Sequence, residues 1–298
     1  MKSFFYSESW KRLFNIGHNY IYYVNNVPVL SHLFKNCRIA NLNFTIIDNN
    51  YALIDQLLKN PCYKLRCDVQ ECPTELKDKF VSEGFSLRKW GTYIIDLEKS
   101  EDELWNGIKK EARKIIRRTE EEGCTLTLCS SESELKEYYD LWKHSRKLLG
   151  FGTMSYHAVL RQWRIMHPHN YQVFLVRSKE GELVAGMGIL YTKEYMREVA
   201  AARKHESKNH PIYPNDFLKW GIIKWGHNNG IRYYDLAGFN PGSVPGSKED
   251  NIRKFKEKWG GRYHDWYFFE KNSDNGVVNR LVHGLEKIYV SRRKNRNE

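Results

Sequence analysis

Two residues in the C-terminal third, a lysine and an aspartate, are of types that could do chemistry. Lys256 directly follows Phe255 in the basic segment NIRKFKEKW, and Asp235 ends the apolar run IRYYD ahead of a glycine-bearing loop. An ammonium beside a reacting carbonyl can stabilise an oxyanion or hold a phosphate. A carboxylate at a strand end can orient or deprotonate an amine. Each has a plainer alternative: Lys256 as one of three solvated helix lysines with Lys254 and Lys258, and Asp235 as a cap of the next turn or a tie on a loop amide. No Ser/His/Asp or Cys/His arrangement stands out. His144, His205, His210 and His264 lack metal-ligand spacing. The six cysteines (Cys37, Cys62, Cys67, Cys72, Cys124 and Cys129) form no CxxC pair and read as reduced structural thiols. No metal is expected.

A second set could bind rather than react. Lys109, Lys110, Arg113, Lys114, Arg117 and Arg118 place six positive charges within ten residues, partly offset by Glu111. That is either a solvated helix face or a surface for phosphates, with Arg113, Arg117 and Arg118 as the contacts. The net charge of +12 and a sequence pI of about 9.3 point to an anionic partner. Aromatics make up 14% of the chain, and Tyr213, Trp220, Trp225 and Trp259 either wall a groove or fill the core. Asn215 reads as a helix N-cap, and Gly238 as a residue that lets the backbone turn tightly.

The elements that must carry these residues alternate between strands and helices, which predicts an α/β or α+β fold. Strand-like text at NYIYYVNN, IANLNFTIID, YKLRCDV and WGTYIIDL is interspersed with helical stretches at YALIDQLLKN and TELKDKFVSEGF. Ser100 and Glu103 form a capping-box pattern that opens one long helix, with Leu104, Ile108, Ala112 and Ile115 on one face and Gly123 as its stop. Ser131 and Glu134 repeat the pattern. Two helices, a three-strand meander, a helix from Pro214 to Gly230, a strand, a helix, a last strand and a basic terminal helix complete the order. That order matches the GNAT lobe, an analogy of fold that names no reaction.

Three segments resemble the Fem family of aminoacyltransferases, which build interpeptide bridges of peptidoglycan. RKWGTYIIDLEKSEDELWNGIKKEARKIIRRTEEEG is similar to the family's strand ending in Asp-Leu, its Arg-x-x-Ile-Arg helix and its acidic turn. NDFLKWGIIKWGHNNGIRYYDLAGFNP is similar to its helix, Gly turn and Asp-Leu-Gly-Gly strand, and IRKFKEKWGGRY to its Phe-Lys-x-x-Phe-Gly-Gly signature. Together they cover roughly residues 85–270. Ala237 stands where the family has a glycine, and Trp259 where it has a phenylalanine. No heptad run marks the coiled-coil arm of some members.

The resemblance implies two tandem GNAT-like lobes, 1–99 and 100–298, each a mixed sheet flanked by helices, with a cleft between them. It implies transfer of an amino acid from aminoacyl-tRNA to an amine of a peptide acceptor by direct aminolysis, with no further cofactor. The acceptor would be a peptidoglycan precursor or muropeptide, nucleotide- or lipid-linked. Lys256 and Asp235 are then the catalytic candidates, with Phe255, Arg113, Arg117, Arg118, Tyr213, Asn215, Gly238 and Trp259 on the substrate side. Two rivals stay open. An acetyl-CoA-dependent N-acetyltransferase needs a glycine loop that cradles pyrophosphate at a helix start. The stretch RKHESKNHPIYPN, where that loop belongs, has no glycine, and the near match Lys147–Gly152 sits at a helix end. A non-catalytic RNA-binding protein would fit the charge, but no RNA-recognition pattern accompanies it. The chain has no apolar run of spanning length and no signal-peptide pattern at its start, so a cytoplasmic protein is expected, in peripheral contact with the inner membrane face if the acceptor is lipid-linked.

Overall fold

Both faces of the central strands are apolar, which is what a sheet covered by helices on each side requires. In the computed structural model, which describes residues 7–14, 19–24, 27–34, 37–43, 64–204 and 213–272, the residues sort into two compact units. The larger comprises Met1–Leu13 and Gly91–His264, the smaller Phe14–Trp90 and Asp265–Glu298. The chain therefore changes unit inside two strands, at Trp90/Gly91 and at His264/Asp265, where the sequence predicts a single cut at Ser100.

The larger unit opens with helix α1 (Glu8–Phe14) and resumes within strand β5 (Ser86–Asp96). Helices α3 (Glu101–Gly107) and α4 (Lys110–Glu121), strand β6 (Thr125–Leu128), and helices α5 (Glu132–Leu148) and α6 (Tyr156–Met166) follow. Next comes the meander β7 (Tyr171–Arg177), β8 (Leu183–Tyr191) and β9 (Tyr195–Arg203). Then α7 (Pro214–Asn228), β10 (Tyr233–Asp235), α8 (Lys248–Glu257) and β11 (Arg262–Asn272) close the order expected from the sequence. The sheet runs β5-β10-β9-β8-β7-β6, with the first residues of β11 beside β5. All neighbouring pairs from β5 to β6 are antiparallel except β9–β10, which is parallel. Alternation along β7 sends Phe174 and Val176 to the face covered by α4 and α7, and Val173 and Leu175 to the face covered by α5 and α6. Helix α7 carries Leu218, Ile222 and Ile223 into the first core, and α5 carries Leu135, Tyr138 and Trp142 into the second.

The smaller unit contains β1 (Asn19–Val24), β2 (Val27–Phe34), β3 (Cys37–Asn43), β4 (Lys64–Gln70) and α2 (Thr74–Ser82), together with most of β11. Strands β1–β2–β3 form antiparallel hairpins, β3 and β4 are parallel, and β4 pairs antiparallel with β11. Phe80 of α2 stacks on Phe269 at 4.2 Å. The helix read at YALIDQLLKN, the basic terminal helix, His205 and His210 lie outside the described residues. Cys72, Cys124 and Cys129 are buried and stand outside any disulfide, and burial pushes Cys129 up to about 12.

One expectation changes. The helix opened by Ser100 is not continuous: the capping box forms, but α3 stops at Gly107, and Ile108 is extended (ψ 136°) before α4 begins. Glycine is a weak interior helix residue, and tertiary contacts exploit the break. Lys109 N–H donates to Lys258 O at 2.9 Å, and Gly107 lies against Gly260. Ile116 and not Ile115 then joins the buried face.

Gly260 is the tight point of this arrangement. Its φ is +75°, and a Cβ there would stand 2.8 Å from the Gly107 carbonyl oxygen. Gly260→Ala should cost about 1–3 kcal/mol from the left-handed backbone alone, seen as a lowered midpoint in thermal or urea melts. An unchanged midpoint would show that the 107–109 link does not depend on this approach.

Candidate active site

Strands β9 and β10 run parallel for three residue pairs, ending at Asp235↔Arg197, and β9 then continues to Arg203. A bulge at Val199 bends it there: Gly188 pairs with Ala200 but Ile189 with Glu198. The carboxyl ends of two parallel strands thus part at Asp235, the kind of place where α/β sheets bind ligands. An acidic residue lies on each face of the sheet at this seam.

On one face is Asp235, with 0% exposure. Its Oδ1 accepts from the Ala237 N–H at 2.8 Å and lies 2.5 Å from the Thr92 hydroxyl, which also reaches Ala237 O at 2.9 Å. The other oxygen accepts from the Tyr195 hydroxyl and lies 3.4 Å from Arg197 Nε. Burial, then Asp235, push the Tyr195 phenol well above its ordinary value. Of the two readings of Asp235, the geometry favours the tie on a loop amide. Both oxygens are engaged, so it positions the turn Leu236–Gly238 and offers no free oxygen as a base.

That turn is strained. Ala237, where a glycine was the family pattern, has φ +59°. Lys256 completes its support: Nζ donates to Ala237 O at 2.8 Å and Gly238 O at 3.1 Å. An ammonium has three donors, and these two bonds leave one for a ligand. Burial pushes Lys256 down to about 8, with Asp235 opposing the shift and Arg197 adding to it. Gly238 therefore contributes its carbonyl. Phe255 is half-buried against the core, edge-to-face with Trp259, and lies under Lys258 Nζ at 4.3 Å.

On the other face, Lys219 of α7 is 1% exposed. Its Nζ bonds Glu198 Oε1 and approaches the Tyr234 hydroxyl at 3.2 Å. That hydroxyl donates to the same Glu198 oxygen at 3.0 Å. Burial pushes Lys219 well below its ordinary value, Lys256 and Lys258 push the same way, and Asp235 opposes. The Glu198 side chain keeps 14% exposure. Lys258 is held by buried Asp216 at 2.5 Å.

Sequence reasoning did not single out Lys219, Glu198, Arg197, Tyr195, Thr92 or Asp216. Some of its candidates land elsewhere. Trp259 is 1% exposed and belongs to the core, so it lines no groove. Asn215 is not the N-cap of α7: Tyr213 occupies that position, and Pro214 opens the helix. Tyr213 stands 61% exposed at that end. Arg113, Arg117 and Arg118 are on α4, whose N-cap Lys109 meets the Lys258 carbonyl and whose ammonium lies 3.3 Å from Glu257. Arg113 bonds Asn106 Oδ1 at 3.1 Å, Arg117 lies over the Trp105 ring at 5.4 Å, and Arg118 is exposed. The start of the basic helix is thus joined to the end of the helix bearing Lys256. Lys147–Gly152, the near match to a pyrophosphate loop, is the C-terminal turn of α5, with Gly150 at φ +73°.

Amine modification followed by mass spectrometry should report Lys256 titrating near pH 8, far below exposed lysines. Arg197 lowers that value, so Arg197→Gln should move the midpoint upward. A midpoint in the ordinary lysine range for the unmodified protein would mean that the site is wetter than this geometry allows.

Comparison with known proteins agrees with this architecture. Residues 107–249 match the Acetyltransferase (GNAT) domain family. No curated protein sequence matches the chain. The crystal structure of FemX is similar, with TM-score 0.72 and 14% identity over 92% of this chain and 93% of that one. The structure of L-PGS from Bacillus licheniformis aligns with TM-score 0.59 and 16% identity, over 89% and 88% of the two chains. The C-terminal domain of a putative lysylphosphatidylglycerol synthetase from Agrobacterium fabrum gives 0.58 and 13%, over the same shares. The chain thus has a GNAT-like mixed α/β fold shared with FemX, and among the described residues no helix is long and apolar enough to cross a membrane.

Proposed function

We propose that this protein is an aminoacyltransferase that moves an amino acid from aminoacyl-tRNA to an amine of a peptide acceptor. The observation that carries the reading is the pair of groups at the β9–β10 seam: Lys256, which spends two of its three donors on the turn, and Glu198, whose Oε1 is held by Lys219 and Tyr234 while its side chain keeps 14% exposure. The likeness to FemX and L-PGS in fold supports the aminoacyl reading. The Fem-like residues Asp235 and Lys256 support it as well, since both hold the Ala237–Gly238 turn.

In the reaction, the acceptor nitrogen attacks the ester carbonyl and forms the C–N bond. Lys256 meets the oxyanion that develops. As the intermediate collapses, the ester C–O bond breaks and the tRNA ribose hydroxyl leaves. Glu198 accepts the proton that the amine loses and returns one to the leaving oxygen, so protons balance over the cycle. The ester is already activated, and most of the acceleration comes from positioning and oxyanion stabilisation. Lys219 and Tyr234 fix the direction of Glu198. The exposed face of α4, through Arg113, Arg117 and Arg118, meets the donor's phosphates.

The test is transfer of a labelled amino acid from a panel of aminoacyl-tRNAs to peptidoglycan-precursor peptides. Lys256→Ala should lower kcat by roughly a hundredfold or more, whereas a rise confined to KM would assign Lys256 to phosphate binding. Glu198→Gln should lower kcat and leave tRNA affinity unchanged. Wild-type kinetics in both folded variants would remove the mechanism.

Changing Arg113, Arg117 and Arg118 to Gln should weaken tRNA binding and reduce the slope of log K against log salt, by up to about one unit for each phosphate that an arginine neutralises. An unchanged slope returns α4 to a solvated face. A second reading is favoured by one observation, the match of residues 107–249 to an acetyltransferase domain. Micromolar binding of acetyl-CoA, with acetyl transfer and no aminoacyl transfer, would select it.

A further inference from the structure

The last residue of α5 and the segment that leads to α6 hold four large apolar side chains in solvent. Leu148, Leu149, Phe151 and Met154 are 55%, 41%, 48% and 43% exposed. Most large apolar residues of a folded protein are not gathered in this way, and such patches mark interaction surfaces. Nor is this a loose loop. Arg146 fastens it through two bonds to Gly152 O, at 3.2 and 3.0 Å, and the Tyr139 hydroxyl donates to Met154 O at 3.1 Å. The apolar side chains are presented outward by a fixed backbone, and nothing stands within 4 Å of where a Cβ would lie on Gly150 or Gly152.

Cations flank the patch. Phe151 has Arg146 Cζ 4.6 Å from its ring centroid and Lys248 Nζ 4.7 Å away. Lys248 brings the loop before α8 alongside, and in that loop Val244 is 71% exposed. Lys143, Arg146, Lys147 and Lys248 fall in segments 141–154 and 239–248, which contain no Asp or Glu. The nearest acids along the chain are Asp140, which pairs with Lys136, and Glu249 and Asp250. Asp250 is paired with Arg253 and Lys254.

We infer that this face docks on an anionic lipid bilayer, with Leu148, Leu149, Phe151 and Met154 entering the headgroup boundary and the four cations meeting lipid phosphates. The charge selects this occupant. A protein groove for an apolar loop needs no flanking cations, and a nucleic acid would leave the leucines in water. Apolar area together with nearby positive charge is the combination that gives reversible binding to acidic membranes. The loop before α8 begins at the Ala237–Gly238 turn that Lys256 holds, so docking would set the active site close to a lipid-linked acceptor. The inference stands apart from the acyl donor's identity, because binding is measured without either substrate.

Co-sedimentation of the full chain with phosphatidylcholine vesicles, with and without phosphatidylglycerol, tests it. Binding is expected with the anionic vesicles and much weaker binding with phosphatidylcholine alone. A Leu149→Ser, Phe151→Ser double variant should lower the partition coefficient about tenfold or more. Lys147→Gln and Lys248→Gln should each lower it by roughly fivefold on anionic vesicles only. Val81→Ser, at an exposed apolar residue of the smaller unit, should change nothing, and thermal melts should show every variant folded. Equal binding to both vesicle types, or undiminished binding by the folded Leu149/Phe151 variant, would overturn the inference. So would self-association that this variant abolishes in a protein that ignores vesicles, since the face would then belong to a second copy.

Discussion

Asp235 has no solvent exposure, and it can remain there because four donors converge on its two oxygens. A buried carboxylate left with a missing partner is costly, on the order of several kcal/mol. The partners come from separated parts of the larger unit: Thr92 from β5, Tyr195 and Arg197 from β9, and the backbone of Ala237 from the turn itself. The carboxylate therefore does what an apolar residue could not. It fixes the strand end, the left-handed turn and the neighbouring strand in one arrangement, and Lys256 inherits its position from that turn. A strained backbone persists only where its surroundings over-determine it, and Ala237 is held at its N–H by Asp235 and at its carbonyl by Lys256.

On the opposite face the problem is reversed, since the buried group is a cation. Lys219 has Lys256 and Lys258 near enough to disfavour its charge. The compensation is local, from the Glu198 carboxylate and the Tyr234 hydroxyl. Lys219 and Lys258 over the Phe255 ring, with Lys256 near enough to disfavour the charge of Lys219, would be a poor way to stabilise a helix pair. They make sense where negative charge must be met, and charge-bearing groups in a desolvated place act more strongly than in water. The acids that hold them, Asp216 for Lys258 and Glu198 for Lys219, keep the cluster together against its own repulsion.

Much of this fold was legible in the chain, because strand and helix periods, the caps at Ser100 and Ser131, and Pro214 at the start of α7 are local signals. The break at Ile108–Lys109 was not. Its cause is a backbone bond to Lys258, a partner no local pattern announces. Asp235 and Lys256 were visible through motif context, but their arrangement was not, since only the folded chain shows that both oxygens of Asp235 are taken. Lys219 was hidden by its surroundings: a lysine amid LKWGII reads as a solvated position on an aromatic helix. A signal did exist in β9. A strand covered on both faces has no place for Arg197 and Glu198 unless each is paired, so adjacent opposite charges in YMREVAAAR were a pointer to the seam.

The smaller unit takes its strands from both sides of the larger one in the sequence, and this matters while the chain is being made. Strand β4 is antiparallel to β11, with Gln70 opposite Trp266. At ordinary translation speeds its partner emerges on the order of ten seconds or more after it does. Throughout that interval β4 has β3 on one edge and nothing from its own chain to cover the other, the condition in which strands pair with the wrong neighbour. The residues of the larger unit from 91 to 264 are all synthesised in between. The unit synthesised first in part is thus completed last, and its open edge is the point in biogenesis where a chaperone, or a second nascent copy, would find a hold.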